Sequence, residues 1–146
     1  KFVDTVIRIE KNLSRRLKPK HCPKNCEVKT IMTIIVYGIK NCDSVRNAKR
    51  WLIANNIEFS FHDFRENGLE EQIAARWTRK VQWDSLLNRR GITWRGIDEK
   101  TKDQIDKVTI VNFLCNHPIV IKRPILEHGE LLLVGFNETN YQNLFN

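Results

Sequence analysis

Long apolar runs, glycine and methionine are all scarce in this sequence of 146 residues. It contains six glycines, four prolines and a single methionine, Met32. No apolar stretch approaches the roughly 20 residues that a membrane-spanning helix needs, so we expect no membrane association. Hydrophobic residues make up 41% of the chain and charged residues 29%. These fractions are ordinary for globular proteins and argue against a disordered or fibrous chain.

Cysteines are also few, and their positions do not form a disulfide framework. Cys22 and Cys26 make a C-x3-C pattern beside His21, but the second ligand pair that zinc ribbons need is absent. We therefore predict no metal site. Cys115 lies in an apolar run, where a small buried thiol is the usual interpretation. Cys42 differs from the others because it stands between a predicted strand and a predicted helix.

Positive charge is concentrated at the N-terminal end. Residues 1–31 hold nine Lys or Arg and three acidic residues, a net charge of +6, whereas residues 32–146 have a net charge of +2. This change predicts a boundary near Met32, with residues 1–31 a basic N-terminal extension that is non-native or loosely ordered, and residues 32–146 one domain. Because the extension lacks interleaved aromatic residues, nucleic acid is not an expected partner.

The pattern after Met32 predicts a mixed α/β domain. Residues 34–38 form a β-branched run closed by glycine, which is typical of an interior strand. Residues 45–52 carry apolar side chains at helical spacing, and residues 57–64 begin with the alternation of a second strand. A strand, a helix and a strand in this order predict a parallel unit.

The second half of the domain predicts helices followed by a hairpin. Apolar spacing indicates helical segments at residues 69–77, 83–88 and 101–116, with loops predicted between residues 89 and 96. A turn before residues 130–134 predicts a hairpin, and a closing helix follows it. The complete order predicts an α/β fold, namely a thioredoxin-like (glutaredoxin-like) mixed sheet with a helical insertion.

Cys42 falls at the turn between the first predicted strand and the first predicted helix. A cysteine in the first turn of a helix lies near free amide groups, whose partial positive charge favours the nucleophilic thiolate. Arg46 lies one helical turn further on. Since an anion approaching Cys42 would meet both the amide groups and the Arg46 guanidinium, we predict an oxyanion site here.

Three separated motifs resemble the ArsC-like proteins, a family that includes the arsenate reductases, the Spx regulators and the YffB branch. The motifs are residues 37–46, 86–95 and 117–124, and the similarity is greatest to the YffB branch. The resemblance runs from about Met32 to the end of the chain. It implies a thioredoxin-like fold and a thiol reductase activity with Cys42 as the nucleophile.

The resemblance implies further site residues. It places the cis-proline of the fold at Pro124, with Arg123 facing the nucleophile, and the planar donors of an arginine suit an oxyanion. The loop arginines implied to bind an anionic substrate are Arg90 and Arg95, with Arg89 as an alternative.

The resemblance also implies how such a protein works. We expect a cytoplasmic, monomeric enzyme without a bound cofactor. Glutathione or a glutaredoxin-like protein would supply the thiol, and a mixed disulfide or a small oxyanion would be the substrate. Two alternatives stay open: an Spx-like adaptor that binds RNA polymerase, whose C-x-x-C motif here has Val45 in its second cysteine position, and an arsenate reductase, whose last arginine falls at Gly135.

Overall fold

The computed structural model describes residues 33–145. The predicted N-terminal extension, residues 1–31, lies outside the described residues, and so do Met32, Cys22 and Cys26. Within the described part of the chain, no helix combines the length and the apolar character that crossing a membrane requires.

A four-stranded mixed sheet forms the centre of the fold. Its strands are β1 (Ile34–Gly38), β2 (Ser60–Asp63), β3 (Ile125–His128) and β4 (Leu131–Val134). They lie in the order β2-β1-β3-β4, with β1 parallel to β2 and antiparallel to β3, and β3 antiparallel to β4. The predicted interior strand, parallel unit and C-terminal hairpin are therefore confirmed.

Seven α-helical segments and two 3-10 turns occur among the described residues. The helices are α1 (Asp43–Ala54), α2 (Phe64–Asn67), α3 (Glu71–Lys80), α4 (Ile92–Arg95), α5 (Glu99–Asp103), α6 (Ile110–Asn116) and α7 (Glu138–Phe145), and the 3-10 turns are Trp83–Leu86 and Pro118–Val120. Helix α1 connects the two parallel strands, and α2 to α6 form an insertion between β2 and β3. This is the predicted thioredoxin-like sheet with a helical insertion.

Two expectations for the insertion are wrong. Residues 101–116 do not form one helix, because the structure divides them between α5 and α6. The carboxylate of Asp106 accepts hydrogen bonds from the backbone N–H groups of Val108 and Thr109, both at 2.8 Å. Such local side-chain bonds compete with a continuous helix. Residues 92–95, which we expected to be a loop, form the short helix α4.

The second strand is shorter than predicted. It begins at Ser60 rather than at Ile57, and Phe64 belongs to α2 rather than to the strand. The carboxylate of Asp63 accepts a hydrogen bond from the backbone N–H of Arg65 at 2.8 Å, and it thereby caps α2. A buried acidic residue therefore ends β2.

Apolar side chains cover both faces of the sheet. Successive residues of a strand point to opposite faces. On one face, Tyr37 and Ile125 belong to a buried cluster with residues of the insertion. On the other face, Val36 and Leu126 belong to a buried cluster with residues of α1 and α7. Both faces of β1 are thus buried, which explains its β-branched sequence without polar alternation.

Candidate active site

Cys42 lies at the junction of the sheet and the first helix. It is the N-cap residue of α1, its backbone is extended, and its carbonyl accepts a hydrogen bond from the Arg46 N–H at 2.9 Å. The Cys42 side chain is half-buried and packs against the apolar cluster that includes the insertion. Because the first amide groups of a helix have no partner within it, this N-terminus favours an anion. The position suits a nucleophilic thiolate.

Gly38 lets α1 pack tightly against the end of β1. A Cβ atom at Gly38 would lie 2.6 Å from Cγ2 of Val45, a separation that real Cβ atoms do not tolerate. Val45 itself is fully buried. The missing side chain therefore fixes how closely the first turn of α1, and Cys42 with it, approaches the sheet.

Arg46 occupies the first turns of α1 and forms an ion pair with Asp43. Its side chain is 59% exposed. Ion pairs between exposed side chains are weak, so the Arg46 guanidinium can exchange the Asp43 carboxylate for an anionic ligand.

Arg123 and Pro124 precede β3. The peptide bond between them is cis, as the resemblance implied, and Pro124 is buried. Nη1 of Arg123 donates a hydrogen bond to the carbonyl of Ile119 at 2.7 Å. Nε of Arg123 is buried and has no hydrogen-bond partner among the described residues. A buried donor without a partner is costly to the folded state, so one of the five N–H donors of this guanidinium is left unsatisfied.

The arginine-rich loop after the first 3-10 turn lies next to the segment that carries Arg123. The Asn88 N–H donates to the carbonyl of Val120 at 2.8 Å, and the Lys122 N–H donates to the carbonyl of Leu86 at 2.7 Å. These two backbone hydrogen bonds hold residues 86–88 beside residues 120–122. The second and third motifs of the sequence are therefore brought together by the fold.

The three arginines of the second motif differ in their surroundings. Arg89 forms an ion pair with Asp84, and its guanidinium lies 5.7 Å from the ring centre of Trp94. Arg90 and Arg95 are exposed and form no ion pair within residues 33–145. Arg90 and Arg95, the last residue of α4, are consequently the arginines of this motif whose charge is available to an anion.

The segment after β4 also reaches the cis-proline. The Gly135 N–H donates a hydrogen bond to the carbonyl of Pro124 at 2.7 Å. Gly135 has φ = 84°, in the left-handed region that favours glycine. No side chain, and so no positive charge, extends from this position.

Cys115 lies on α6 and is half-buried. Burial, followed by the nearby Glu71 carboxylate, raises the pKa of the Cys115 thiol. Its thiolate form is therefore disfavoured near neutral pH. Within the described residues, no three His, Cys, Asp or Glu side chains cluster closely enough to hold a metal ion.

Sequence reasoning missed two buried acidic side chains, one beside the turn that leads to Cys42 and one elsewhere in the core. Asp63 accepts a hydrogen bond at 3.1 Å from the backbone N–H of Lys40, which lies two residues before Cys42. Glu127 is buried on β3 and is surrounded by basic and hydroxyl donors. Only the Asp63 position, one residue before a helix start, carried a pattern in the sequence that predicts a helix cap.

A β2-β1-β3-β4 sheet with a cysteine at the N-terminus of α1 and a cis-proline before β3 defines a thioredoxin-like domain. Comparison with known proteins then identifies the family. The ArsC family model matches residues 37–144. The chain belongs to the ArsC family.

Individual relatives agree with this assignment. An uncharacterised protein of Haemophilus influenzae is 45% identical over 112 residues, which cover 77% of this chain and 98% of that protein. The solved structure of a YffB protein is 35% identical, with a TM-score of 0.75, and covers 78% of this chain and 100% of that one. The regulatory protein MgsR of Bacillus subtilis is 30% identical and covers 69% of this chain and 81% of that protein.

Proposed function

We propose that this protein is a glutathione-dependent thiol oxidoreductase with Cys42 as its nucleophile. The observation that carries the proposal is the half-buried thiol of Cys42 at the N-cap of α1. Amide groups at a helix N-terminus stabilise a thiolate, and the thiolate is the form that attacks a disulfide. We further expect a cytoplasmic monomer that needs no bound cofactor.

The proposed reaction has two thiol-disulfide exchanges. In the first, the Cys42 thiolate attacks the glutathione sulfur of a mixed disulfide, a Cys42–glutathione disulfide forms, and the substrate thiolate leaves. In the second, the thiolate of another glutathione attacks the glutathione sulfur of that disulfide. Oxidised glutathione forms and the Cys42 thiolate is regenerated. In the net reaction one glutathione thiol is consumed: its sulfur is oxidised to the disulfide level, the substrate sulfur is reduced to a thiol, and the proton of that glutathione ends on the substrate.

Glutathione is a suitable donor because it carries carboxylates as well as a thiol. Arg123 has an unpartnered Nε, and Arg90 and Arg95 form no ion pair within the described residues. Arginine binds a carboxylate through two parallel hydrogen bonds. We propose that these three arginines hold the carboxylates of glutathione and that Arg46 stabilises negative charge beside the attacking sulfur.

Arsenate reduction is less well supported than disulfide reduction. The resemblance places an oxyanion-binding arginine of the arsenate reductases at position 135, which is glycine here. Gly135 lies beside Pro124 and has a left-handed backbone that disfavours a side chain. An arsenate ion would therefore lack one positive partner.

A regulatory role is the second candidate, and the similarity to MgsR favours it. The resemblance to Spx proteins implies a partner, RNA polymerase, and a C-x-x-C sensor. In this chain the second cysteine position of that motif is Val45, which is fully buried against β1. A sensor disulfide with Cys42 cannot form there, so any adaptor function would work without it.

Turnover assays with the purified protein test the proposal. Glutathione and a glutathione mixed disulfide, or glutathione and arsenate, are supplied with glutathione reductase to report oxidised glutathione. We expect turnover of the mixed disulfide and little or none of arsenate. Cys42→Ser should abolish turnover because a hydroxyl is too weak an acid to supply an anion at this position.

Cys115→Ser is the matched control and should keep the activity. Full activity of Cys42→Ser, or no turnover of any mixed disulfide by the native protein, would refute the enzyme proposal. In that case, retention of RNA polymerase subunits by the immobilised protein would favour the regulatory candidate.

A further inference from the structure

Asp63 uses both of its carboxylate oxygens on backbone N–H groups of two different segments. Oδ1 accepts a hydrogen bond from the Arg65 N–H at 2.8 Å, and Oδ2 accepts one from the Lys40 N–H at 3.1 Å. Asp63 is only 4% exposed. Its partner in the register of the parallel strands is Gly38. The carboxylate therefore bridges the end of β2 and the turn that leads to Cys42.

That turn consists of residues 39–41. Ile39 is buried, whereas Lys40 and Asn41 are exposed. The Lys40 ammonium group forms an ion pair with Glu66 of α2, but both side chains are about 60% exposed. An exposed ion pair contributes little to holding a turn. The hydrogen bond to the buried Asp63 carboxylate is a partly buried polar contact that restrains this backbone.

We propose that Asp63 is a positioning residue for the nucleophile, which holds the turn of residues 39–41 so that Cys42 stays at the N-terminus of α1. The inference rests on the proposed function, in which Cys42 is the nucleophile. Capping α2 requires one acceptor oxygen, which serine or asparagine also provides. The second oxygen is used for the turn before Cys42, and this second contact separates the positioning role from helix capping.

Two substitutions separate these contacts. Asp63→Ser keeps an oxygen that can cap α2, but the side chain is too short to reach Lys40 as well. Asp63→Ala removes both contacts. Lys40→Ala is the matched control, because it deletes the ion pair with Glu66 and leaves the backbone N–H that Asp63 binds.

Three measurements on the full chain follow the effect. Hydrogen exchange of the Lys40 amide reports the contact itself, alkylation of Cys42 by iodoacetamide reports the thiol, and turnover of a glutathione mixed disulfide reports catalysis. Thermal unfolding reports stability. In Asp63→Ser we expect faster exchange at Lys40, several-fold slower alkylation of Cys42 and a loss of turnover that can reach about 100-fold for a misplaced nucleophile.

The expected pattern is that Asp63→Ser and Asp63→Ala slow alkylation alike, while Asp63→Ala has the lower Tm because it also loses the cap. Lys40→Ala should match the native protein in exchange and alkylation. If only Asp63→Ala changed alkylation, or if Asp63→Ser left Lys40 exchange unchanged, Asp63 would be a helix cap and the positioning role would be wrong.

Asp63→Asn provides a second variant should the serine protein fail to fold. Its single carbonyl oxygen should keep the shorter contact, the 2.8 Å hydrogen bond from the Arg65 N–H, and leave the Lys40 N–H without an acceptor. The same faster exchange and slower alkylation are therefore expected, and native values of both would overturn the proposal. The failure of the proposed function can be distinguished from the failure of the positioning role. A native protein without turnover whose Cys42 alkylation still depends on Asp63 would refute the enzyme and keep the positioning role.

Discussion

Two fully buried tyrosines differ in the partner of their hydroxyl groups. The hydroxyl of Tyr37 donates a hydrogen bond to Oε2 of Glu127 at 3.2 Å, whereas that of Tyr141 has no partner among the described residues. Burial, followed by the charge of Glu127, raises the pKa of Tyr37 to about 12. Burial alone raises the pKa of Tyr141. The two residues therefore form a matched pair for measuring what a buried hydroxyl contributes.

Removing each hydroxyl should change the free energy of unfolding differently. We expect Tyr141→Phe to leave the free energy of unfolding unchanged or to increase it, because an unpartnered buried hydroxyl costs about 1–3 kcal/mol. Tyr37→Phe should lower it by about 1.5–3 kcal/mol, the net value of a hydrogen bond to a charged group. Urea unfolding of the two variants measures both changes. A clear destabilisation by Tyr141→Phe would show that its hydroxyl has a partner, such as a bound water.

The two cysteines among the described residues should differ in reactivity. Burial and Glu71 raise the pKa of Cys115, so its thiolate appears only as the pH rises well above neutral. Cys42, at a helix N-terminus, should react first. Alkylation of the native protein at pH 7, followed by peptide mass spectrometry, should label Cys42 faster than Cys115. Equal rates, or faster labelling of Cys115, would contradict the environments described above.

At the scale of secondary structure, the contact between β1 and α1 was largely predictable. The apolar run of residues 34–38, its closing glycine and the helical spacing of residues 45–52 are all local patterns. The break between α5 and α6 was not predictable, because the apolar spacing of residues 101–116 continues through Asp106. The helix is interrupted there by side-chain hydrogen bonds of Asp106 and Thr109 to the backbone.

The close approach of Gly38 and Val45 can be tested by a pair of substitutions. Gly38→Ala should destabilise the protein by about 1–3 kcal/mol, because the new Cβ would meet Cγ2 of Val45 at 2.6 Å. Val45→Ala alone also destabilises the protein, since it leaves a cavity. The double variant should lose less than the sum of the single losses, because each change makes room for the other. Strictly additive losses in urea unfolding would mean that the two residues do not touch.

At the scale of the whole molecule, one buried carboxylate joins three elements. Glu127 of β3 is 6% exposed and accepts hydrogen bonds from Tyr37 of β1 and from Arg76, Trp77 and Lys80 of α3. Its partners lie about 50 and 90 residues away along the chain. No local pattern links them, and a glutamate beside a hairpin turn looks exposed in the sequence. This network therefore could not be predicted before the fold was known.

The same network should give the stability a dependence on pH. Burial by itself would raise the pKa of Glu127, but hydrogen bonds from Arg76 and Lys80 outweigh it and lower that pKa below its usual range. A carboxylate with a lowered pKa in the folded state contributes stability that is complete above its unfolded value, about 4.3. That contribution is lost as the pH falls through the folded value.

Glu127→Gln should therefore reduce the free energy of unfolding by about 3 kcal/mol at pH 7, because the largely buried cation of Lys80 loses its buried carboxylate partner. The difference from the native protein should begin to shrink below about pH 4.3, where the unfolded carboxylate takes up a proton, and should be lost below the lowered folded pKa, where the native carboxylate is neutral as well. Glu130→Gln is the control, since Glu130 lies 3.9 Å from the same Lys80 ammonium group but is 97% exposed, and it should change little. Urea unfolding between pH 7 and pH 3 measures all three proteins. A gap between native protein and Glu127→Gln that stayed constant over this range would show that packing, rather than charge, makes Glu127 important.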